Sequence, residues 1–243
     1  MRKEAHSWHS PALGITMPIV CYGHFGFPIL MFPTAAADCE EYERFGLVGA
    51  VAHHVEAGKV KLYSINSINR YSWMNDQVHP MERARRQALY DAYVYQEVAP
   101  FIGDHCRTPG IAIGTTGASF GAFHSLNTLL KHPDRFKLTM AMSGAYDLRT
   151  YADGYYDENI YFNNPVDYLP NLNDHNILEQ LRQTRIYIMT GQGSYEAPQH
   201  SKRVSQLLWD KGVSNQLDLW GYEWSHDWPT WRVMLNHYIG TIF

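Results

Sequence analysis

The stretch "GTTGASFGAFHS", residues 114–125, holds Ser119 between Gly117 and Gly121 in the pattern G-x-S-x-G. The preceding residues, "GIAIGT" (110–115), are typical of a short buried strand, and the residues that follow repeat apolar side chains at helical spacing. A serine at such a strand-to-helix turn predicts a nucleophile elbow, in which the glycines let two backbones pass closely while the hydroxyl stays exposed. The alternative interpretation is a glycine-rich turn whose serine has no chemical role.

Strand and helix patterns alternate along the chain around this turn. Short apolar, β-rich runs occur at 16–22, 27–32, 59–65, 110–114, 136–142, 185–190 and 215–220. Helical patterns occupy 40–57, 81–102, 120–132, 174–183, 196–212 and 228–240. This alternation predicts an α/β fold with a mostly parallel central sheet and helices on both faces. A glycine-containing turn separates the first two runs, so we expect these two strands to form an antiparallel hairpin.

The chain is predicted to form a single domain over residues 1–243. The sequence contains no repeat, low-complexity tract or Gly/Ser-rich linker that would mark a domain boundary. The longest segment without clear periodicity is 145–173, and its many aromatic side chains favour an ordered loop excursion over one end of the sheet. A contact between copies in a homo-oligomer is the alternative use of this segment.

Composition and charge exclude several classes of function. The formal net charge is −4 and basic residues concentrate only at "ERARRQ" (82–87), so we expect no nucleic-acid partner. No apolar run approaches the roughly 20 residues of a membrane helix, and no signal-peptide core follows the basic start, so no membrane partner is expected. Three widely separated cysteines indicate neither a disulfide framework nor a zinc ribbon, which favours a cytoplasmic location.

A base and an acid for Ser119 are predicted from the chain order Ser, acid, His that nucleophile-elbow folds use. His226 lies in "GYEWSHDWPTW", between the last strand and the last helix, where a loop can carry it over the sheet edge. Glu196 follows the sixth predicted strand and is the first choice for the acid, and Asp147, after the fifth, is the alternative acid. Asp227 is expected to cap the last helix instead.

Backbone donors for an oxyanion hole are expected from two turns. One donor is the N–H of Phe120, the residue after the serine. The other comes from the loop "PTAAAD" after the second predicted strand, where Thr34 and Ala35 are the candidate N–H donors because small residues allow a carbonyl close to the main chain.

The substrate pocket is predicted to be lined by Trp73, Tyr155 and Tyr156, although Trp73 fits a packing residue equally well. Phe120 places bulk beside the serine, and the segment 145–173 interleaves its aromatic rings with Asp, Glu and Asn. A long acyl chain needs continuous apolar walls, so these residues predict a short and partly polar acyl pocket.

The segments "FPTAAADCEEY", "GASFGAFHS", "SGAYDL", "YFNNPVDYLPNL", "GQGSYE" and "HDWPTW" together resemble the putative-esterase branch of the α/β-hydrolases. The resemblance covers nearly the whole chain. It implies an α/β-hydrolase fold, a Ser-acid-His triad, an acyl-ester substrate, and no metal or organic cofactor. Phe120 and Ala122 depart from the Met and Gly that the family often shows. Glu196 stands where esterase D-like members have Asp, although mycolyltransferase-like members also use Glu.

The function predicted from these features is hydrolysis of a small-molecule carboxylic ester through an acyl-enzyme on the serine. Two alternatives are acyl transfer to an alcohol acceptor and a non-catalytic binding protein with the same fold. Metal-dependent chemistry is poorly supported, because His53, His54, His6 and His9 have no clustered carboxylate partner at ligand spacing. No metal site is therefore predicted.

Overall fold

The computed structural model describes every residue from Met1 to Phe243, and its centre is a sheet of eight strands. The strands are β1 Lys3–His9, β2 Thr16–Tyr22, β3 Phe27–Phe32, β4 Val60–Ile65, β5 Ile113–Ala118, β6 Phe136–Met142, β7 Arg185–Thr190 and β8 Gln216–Leu219. They lie side by side in the order β1-β2-β4-β3-β5-β6-β7-β8. Strand β2 is antiparallel to both of its neighbours, and all other adjacent pairs are parallel.

Eleven α-helices connect or follow the strands. They are α1 Glu41–Arg44, α2 Leu47–Ala50, α3 Ala52–Glu56, α4 Pro80–Tyr93, α5 Ala99–His105, α6 Phe120–Lys131, α7 Glu158–Asn163, α8 Pro165–Tyr168, α9 His175–Arg182, α10 Pro198–Asp210 and α11 Trp228–Ile242. A π-helical turn, Val94–Val98, joins α4 to α5. None of these helices combines the length and the apolarity that crossing a lipid bilayer requires.

The helices cover both faces of the sheet. Successive side chains along a strand point to opposite faces, so the protein has one hydrophobic core on each face. Helices α1, α2, α3 and α11 pack on one face, where the core includes Val20 of β2 and Met234 of α11. The other helices pack on the opposite face, where the core includes Cys21 of β2 and Phe123 of α6. The predicted α/β class with a mostly parallel sheet between two helical layers is confirmed, and the architecture is the α/β-hydrolase fold.

The predicted hairpin between the second and third strands is wrong. Strand β4 lies between β2 and β3, pairing antiparallel with β2 and parallel with β3. The antiparallel hairpin is formed instead by β1 and β2, with His6 opposite Ile19. The sequence did not indicate β1 because it is an edge strand whose residues are mostly exposed and polar, which hides the alternation of a half-buried strand.

The segment 145–173 contains the short helices α7 and α8 with 3-10 turns on either side. Its aromatic Tyr168 donates to Asn127 of α6 at 2.8 Å, and Lys131 of α6 donates to Asn163 at 3.0 Å. Buried Arg83 of α4 holds the start of the segment through Asp153 at 2.9 Å. These contacts hold the segment against α4 and α6. The single-domain organisation of the chain stays a prediction.

Three backbone segments meet at the turn between β5 and α6. A Cβ atom on Gly117 would collide with the Gly121 carbonyl, and a Cβ on Gly121 would collide with the Phe32 carbonyl at the end of β3. Buried Tyr42 of α1 joins the same two strands, donating to the Phe32 carbonyl at 2.5 Å and accepting from the Ala118 N–H at 2.9 Å. The turn can therefore pack against β3 only with glycine at these two positions.

Replacing Gly121 with alanine should lower the free energy of unfolding by roughly 3 kcal/mol, because the backbone must shift to admit the new methyl group. Gly49 in helix α2 is the matched control, since a Cβ there meets nothing within 4 Å and alanine is the better helix former. Gly49→Ala should leave stability unchanged or raise it by about 0.5 kcal/mol. Urea unfolding measures both, and a Gly121→Ala variant as stable as the wild type would contradict the packing argument.

Candidate active site

Ser119 lies at the turn where β5 ends and α6 begins, in a backbone conformation that non-glycine residues rarely adopt. Its φ is 57° and its ψ is −121°, and its N–H donates to the Met142 carbonyl at 2.9 Å. Strain of this kind costs about 1–3 kcal/mol and persists only where the surroundings impose it. Here the tight packing of the turn imposes it, and the serine side chain is left partly exposed at the carboxyl end of the sheet.

His226 contacts this serine directly. Its Nε2 lies 3.0 Å from Ser119 Oγ, although the two residues are far apart in the chain. The imidazole comes from the loop between β8 and α11, as the sequence predicted, and the edge of Trp231 packs against its ring at a centroid distance of 5.0 Å. The predicted capping role of Asp227 is confirmed, because its carboxylate accepts from the Trp228 N–H at 2.7 Å at the start of α11.

Glu196 lies on the far side of the imidazole, with its Oε2 3.5 Å from His226 Nδ1. This distance is longer than a good hydrogen bond, and Nδ1 is buried with no hydrogen-bond partner in the structure, so Glu196 is the carboxylate that faces it across a slightly long gap. The carboxylate is 1% exposed and the imidazole 25% exposed, so the pair is shielded from solvent mainly on the acid side. Serine, histidine and glutamate therefore form one continuous line of polar atoms.

Two hydroxyl groups hold the Glu196 carboxylate. Ser143 Oγ donates to Oε1 at 2.5 Å, and Thr190 Oγ1 donates to Oε2 at 3.0 Å. Burial by itself would raise the pKa of Glu196, but the interactions with His226, Ser143 and Thr190 outweigh burial and hold that pKa below its ordinary value. The carboxylate is therefore ionised at neutral pH and can only accept hydrogen bonds, which favours the imidazole tautomer with its proton on Nδ1 and leaves Nε2 as the acceptor for Ser119.

The loops that carry Glu196 and His226 are bonded to each other through their backbones. The Gly193 N–H donates to the Trp224 carbonyl at 2.9 Å, and the His226 N–H donates to the Ser194 carbonyl at 3.0 Å. A Cβ on Gly191 would collide with the Trp224 carbonyl. Glycine in the "GQG" stretch thus allows the two loops to pack main chain to main chain, which fixes the acid and the histidine relative to each other.

The predicted oxyanion donors have different surroundings. The Thr34 N–H donates to buried Glu41 Oε2 at 2.8 Å, so it is not free to meet a substrate oxygen, against the expectation from the sequence. The Ala35 N–H has no partner within the protein, while its carbonyl accepts from Asn69 Nδ2 at 2.7 Å. The Phe120 N–H is at the first turn of α6 and has no intrahelical partner. Phe120 and Ala35 therefore keep free donors, and Thr34 is corrected to a structural role.

The alternative acid Asp147 lies in a separate ion-pair network. It accepts from Arg149 at 2.8 Å and lies 3.5 Å from Arg203, and it has no contact with His226. The hydrogen bonds from Arg149 lower the pKa of Asp147 to about 2. Its side chain also accepts from the Arg149 N–H, which makes Asp147 the cap of a 3-10 turn.

The three predicted pocket residues are dispersed. Trp73 is 2% exposed and donates to Gln87 at 3.0 Å, so it is a core packing residue rather than a pocket wall. Tyr155 packs against His79, and half-exposed Tyr156 donates to Asp167 at 2.9 Å. Neither tyrosine contacts Ser119 or His226.

A different ring of the same segment contacts Phe120, the residue that follows the serine. Tyr151 packs edge-on against Phe120 with 5.2 Å between ring centroids. Phe120 itself is almost completely buried and also packs against Phe123. Phe120 directly follows Ser119 in the chain, so the segment 145–173 contacts the residue next to the serine through Tyr151, which the sequence did not predict.

Three residues around the acid were missed by reasoning from the sequence: Ser143, Thr190 and Trp231. Trp231 Nε1 donates to Ser143 Oγ at 3.0 Å, which orients that hydroxyl toward Glu196. Ser143 has a φ of 54° directly after β6, and Thr190 is the last residue of β7. Their shared position at the carboxyl ends of neighbouring parallel strands is the signal that could have identified them, since ligand and catalytic groups gather at that edge of such sheets.

One group of side chains in the structure has the composition of a metal site, and it lies away from Ser119. The ligand atoms of His6, Cys21 and His105 are all within 4.8 Å of one another. The sequence did not predict this group, because its members come from β1, β2 and the end of α5. No such group of potential ligands surrounds the serine and histidine.

The geometry around Ser119 supports nucleophilic chemistry in general terms. A hydroxyl within 3.0 Å of a histidine nitrogen can lose its proton to that nitrogen, and an ionised carboxylate behind the ring stabilises the resulting imidazolium. The start of α6 directs free N–H groups toward the same place, where they favour developing negative charge.

Comparison with known proteins places this geometry in context. The sequence profile of the family described as "Putative esterase" matches residues 65–242. Among solved structures, a ferulic acid esterase superposes with a TM-score of 0.77 at 16% identity, covering 100% of this chain and 99% of that chain. MPT51 (FbpC1) of Mycobacterium tuberculosis superposes with a TM-score of 0.73 at 14% identity, covering 100% of this chain and 98% of that chain. An S-formylglutathione hydrolase from Agrobacterium tumefaciens superposes with a TM-score of 0.71 at 14% identity, covering 98% of this chain and 93% of that chain.

At identities this low, the structural likenesses establish a shared fold. A search among curated proteins finds no match.

Proposed function

The chain belongs to the putative esterase family, and from this premise we propose that it is a serine carboxylic-ester hydrolase that works through an acyl-enzyme. The observation that carries the proposal is the line of contacts from Ser119 Oγ to His226 Nε2, at 3.0 Å, and from His226 Nδ1 to Glu196, at 3.5 Å. Apo active sites commonly show one long contact of this kind, which shortens when substrate binds.

Acylation begins when Ser119 Oγ attacks the ester carbonyl carbon and its proton passes to His226 Nε2. The imidazolium that forms is stabilised by Glu196, whose ionised state is maintained by Ser143 and Thr190. The carbon–oxygen bond to the alcohol then breaks, and the alcohol leaves with the proton from Nε2. The acyl group remains on the serine.

The oxyanion of each tetrahedral intermediate is assigned to two backbone donors, the Phe120 and Ala35 N–H groups. Ala35 is suited to this because its N–H has no partner in the protein, and because Ser67 at 3.1 Å and Asn69 at 2.7 Å bind the carbonyl of the same residue and so restrain the loop around it. A donor fixed before the reaction stabilises developing charge without reorganisation, and one such donor is commonly worth about 3 kcal/mol.

Deacylation repeats the same steps with water as the nucleophile. His226 Nε2 takes a proton from the water as it attacks the acyl carbon, and then returns it to Ser119 Oγ as the acid product leaves. The serine hydroxyl is regenerated, and no group outside the chain is required for proton transfer.

The acyl group is proposed to be short. Phe120, which follows the serine in the chain, packs against Tyr151, and both rings are held by further core contacts. Cavities of about 980, 510 and 310 Å³ occur elsewhere in the protein, and neither Ser119 nor His226 lines any of them. None of these three cavities can therefore hold an acyl chain attached to the serine.

Ser119→Ala and His226→Ala should each lower kcat for ester hydrolysis by roughly 10⁴- to 10⁶-fold, and the double variant should lose no more than either single variant. The losses should not add, because the hydroxyl and the imidazole act as one unit. Hydrolysis of p-nitrophenyl acetate by purified protein measures this, with covalent labelling by a fluorophosphonate as a second readout. A Ser119→Ala variant that keeps a few per cent of the activity would disprove the proposed nucleophile.

Glu196→Gln should lower kcat by roughly 10⁴-fold, because an amide cannot stabilise the imidazolium and favours the wrong tautomer. Asp147→Asn is the matched control, since it makes the same change in the carboxylate that has no contact with His226. We expect it to lower kcat by less than about tenfold. The reverse ranking would move the acid to Asp147.

Acetyl and butyryl esters should be cleaved with a higher kcat/KM than octanoyl esters, because in the proposed site the packed rings of Phe120 and Tyr151 limit the length of the acyl group. A p-nitrophenyl ester series of increasing chain length measures this directly. Each well-buried methylene contributes up to ~0.8 kcal/mol, so a long groove would give a kcat/KM that rises steadily with length. That trend would contradict the short pocket while leaving the serine mechanism intact.

A further inference from the structure

A large open cavity lies at the amino ends of the parallel strands, at the other end of the sheet from Ser119. Its volume is about 980 Å³, at the upper end of the range for small-molecule sites. It is bordered by β1, by the turn between β2 and β3, by the start of β4 and by the end of α5. Ser119 follows the carboxyl end of β5, whereas this cavity lies at the amino ends of the parallel strands, roughly 20 Å away along a strand of this length.

The cavity is lined by an excess of positive charge. Four cationic side chains, Arg2, Lys59, Lys61 and Arg107, face two carboxylates, Glu4 and Asp104. Glu4 already binds Arg2 and, at 2.9 Å, the Nε2 of His105, so its charge is engaged within the protein. The chain as a whole carries a net charge of −4, so this positive surface has the opposite sign to the protein's net charge.

Lys61 is the central feature of this cavity. Its side chain enters the cavity from β4 and the residue is only 7% exposed, yet its ammonium has no hydrogen bond or ion pair within the protein. Its nearest recorded partner is the face of Tyr63, at 5.6 Å from the ring centroid. The stem of Lys61 is therefore buried, while its ammonium opens onto the cavity with no partner in the protein and is free to bind an anionic ligand.

An exposed aromatic ring stands at the mouth of the same cavity. Phe25, in the turn between β2 and β3, is 71% exposed, which is unusual for a phenylalanine. One side of the ring lies close to Gly58. A Cβ atom added to Gly58 would be 3.5 Å from the ring carbon Cδ1 of Phe25. The ring therefore has support on one side and a free surface on the other, where a planar group can stack.

We propose that this cavity binds a small phosphate-bearing molecule, with Lys61 as the central phosphate ligand and Phe25 as a platform for a planar ring. Lys59 and Arg107 are exposed at the rim without acidic partners and supply further donors to the phosphate. The binding site is separate from the proposed ester-hydrolysis site and does not depend on it.

The group His6, Cys21 and His105 lies beside this cavity and offers the competing interpretation of a metal-cation site. Both nitrogens of His105 are already engaged, Nδ1 by the Tyr63 hydroxyl at 2.9 Å and Nε2 by Glu4. The ammonium of Lys61 and the cations at the rim oppose a second cation. The charge distribution therefore favours the anion.

Isothermal titration calorimetry with inorganic pyrophosphate at low ionic strength tests the proposal. Wild-type protein should bind, and Lys61→Met should weaken binding at least about tenfold while keeping an apolar stem of similar length. Arg107→Gln, at an exposed position that cannot disturb the core, should also weaken binding. Lys202→Met, which removes a lysine exposed on α10 away from the cavity, should bind like the wild type. All variants should keep wild-type hydrolysis of p-nitrophenyl acetate, which shows that they are folded.

Two further titrations separate the parts of the proposal. ADP should bind more tightly than pyrophosphate, and Phe25→Ala should remove that advantage without changing pyrophosphate affinity. Equal pyrophosphate affinity in the wild type and in Lys61→Met would overturn the proposed site. It would also be overturned if pyrophosphate failed to bind while Zn²⁺ bound and His6→Ala, but not His9→Ala, abolished Zn²⁺ binding.

Discussion

The structure depends on the close approach of three backbone segments at the turn between β5 and α6. Gly117 and Gly121 lie against each other, and Gly121 lies against the carbonyl of Phe32, so no side chain can separate them. This contact holds Ser119 at a positive φ and points its hydroxyl out of the sheet. It also fixes the end of β3, after which Ala35 follows, relative to the start of α6. One packing constraint thus positions the serine and both free backbone donors.

The acid and the histidine are positioned by a second backbone contact, between the loops after β7 and β8. Gly191 and Gly193 permit it, and the carboxylate of Glu196 is then held by Ser143 and Thr190. Trp231, at the start of α11, donates to Ser143 and packs on the His226 ring, so one residue contacts both ends of the pair. In the proposed mechanism these groups are in place before substrate arrives, which is the arrangement that electrostatic stabilisation requires.

The two edges of the sheet have different chemical character. At the carboxyl edge the charge of Glu196 is balanced by hydrogen bonds from Ser143 and Thr190. At the amino edge Lys61 is buried with no partner in the protein. Its ammonium opens onto the cavity, so the amino ends of the strands are where the fold leaves a cation free to bind a ligand.

Much of the fold and of the candidate site could be predicted from the sequence because the signals are local. The pattern around Ser119, the position of His226 before the last helix and the loop of Glu196 each follow from residues near one another in the chain, as does the capping by Asp227. The order of the strands was less accessible. Strand β1 is a polar edge strand, and the insertion of β4 between β2 and β3 is a long-range pairing that no short window records.

Side-chain partners were decided by the tertiary structure alone. The Thr34 N–H is occupied by Glu41, Trp73 is buried against Gln87, and Tyr151 rather than Tyr155 reaches Phe120. The unpaired Lys61 also exists only because β4 lies beneath the end of α5 and beside the turn before β3. The sequence by itself therefore determined which residue types stand at each turn and strand end, since these depend on local backbone geometry. The fold decided which of them meet, since hydrogen bonding and burial depend on segments distant in the chain.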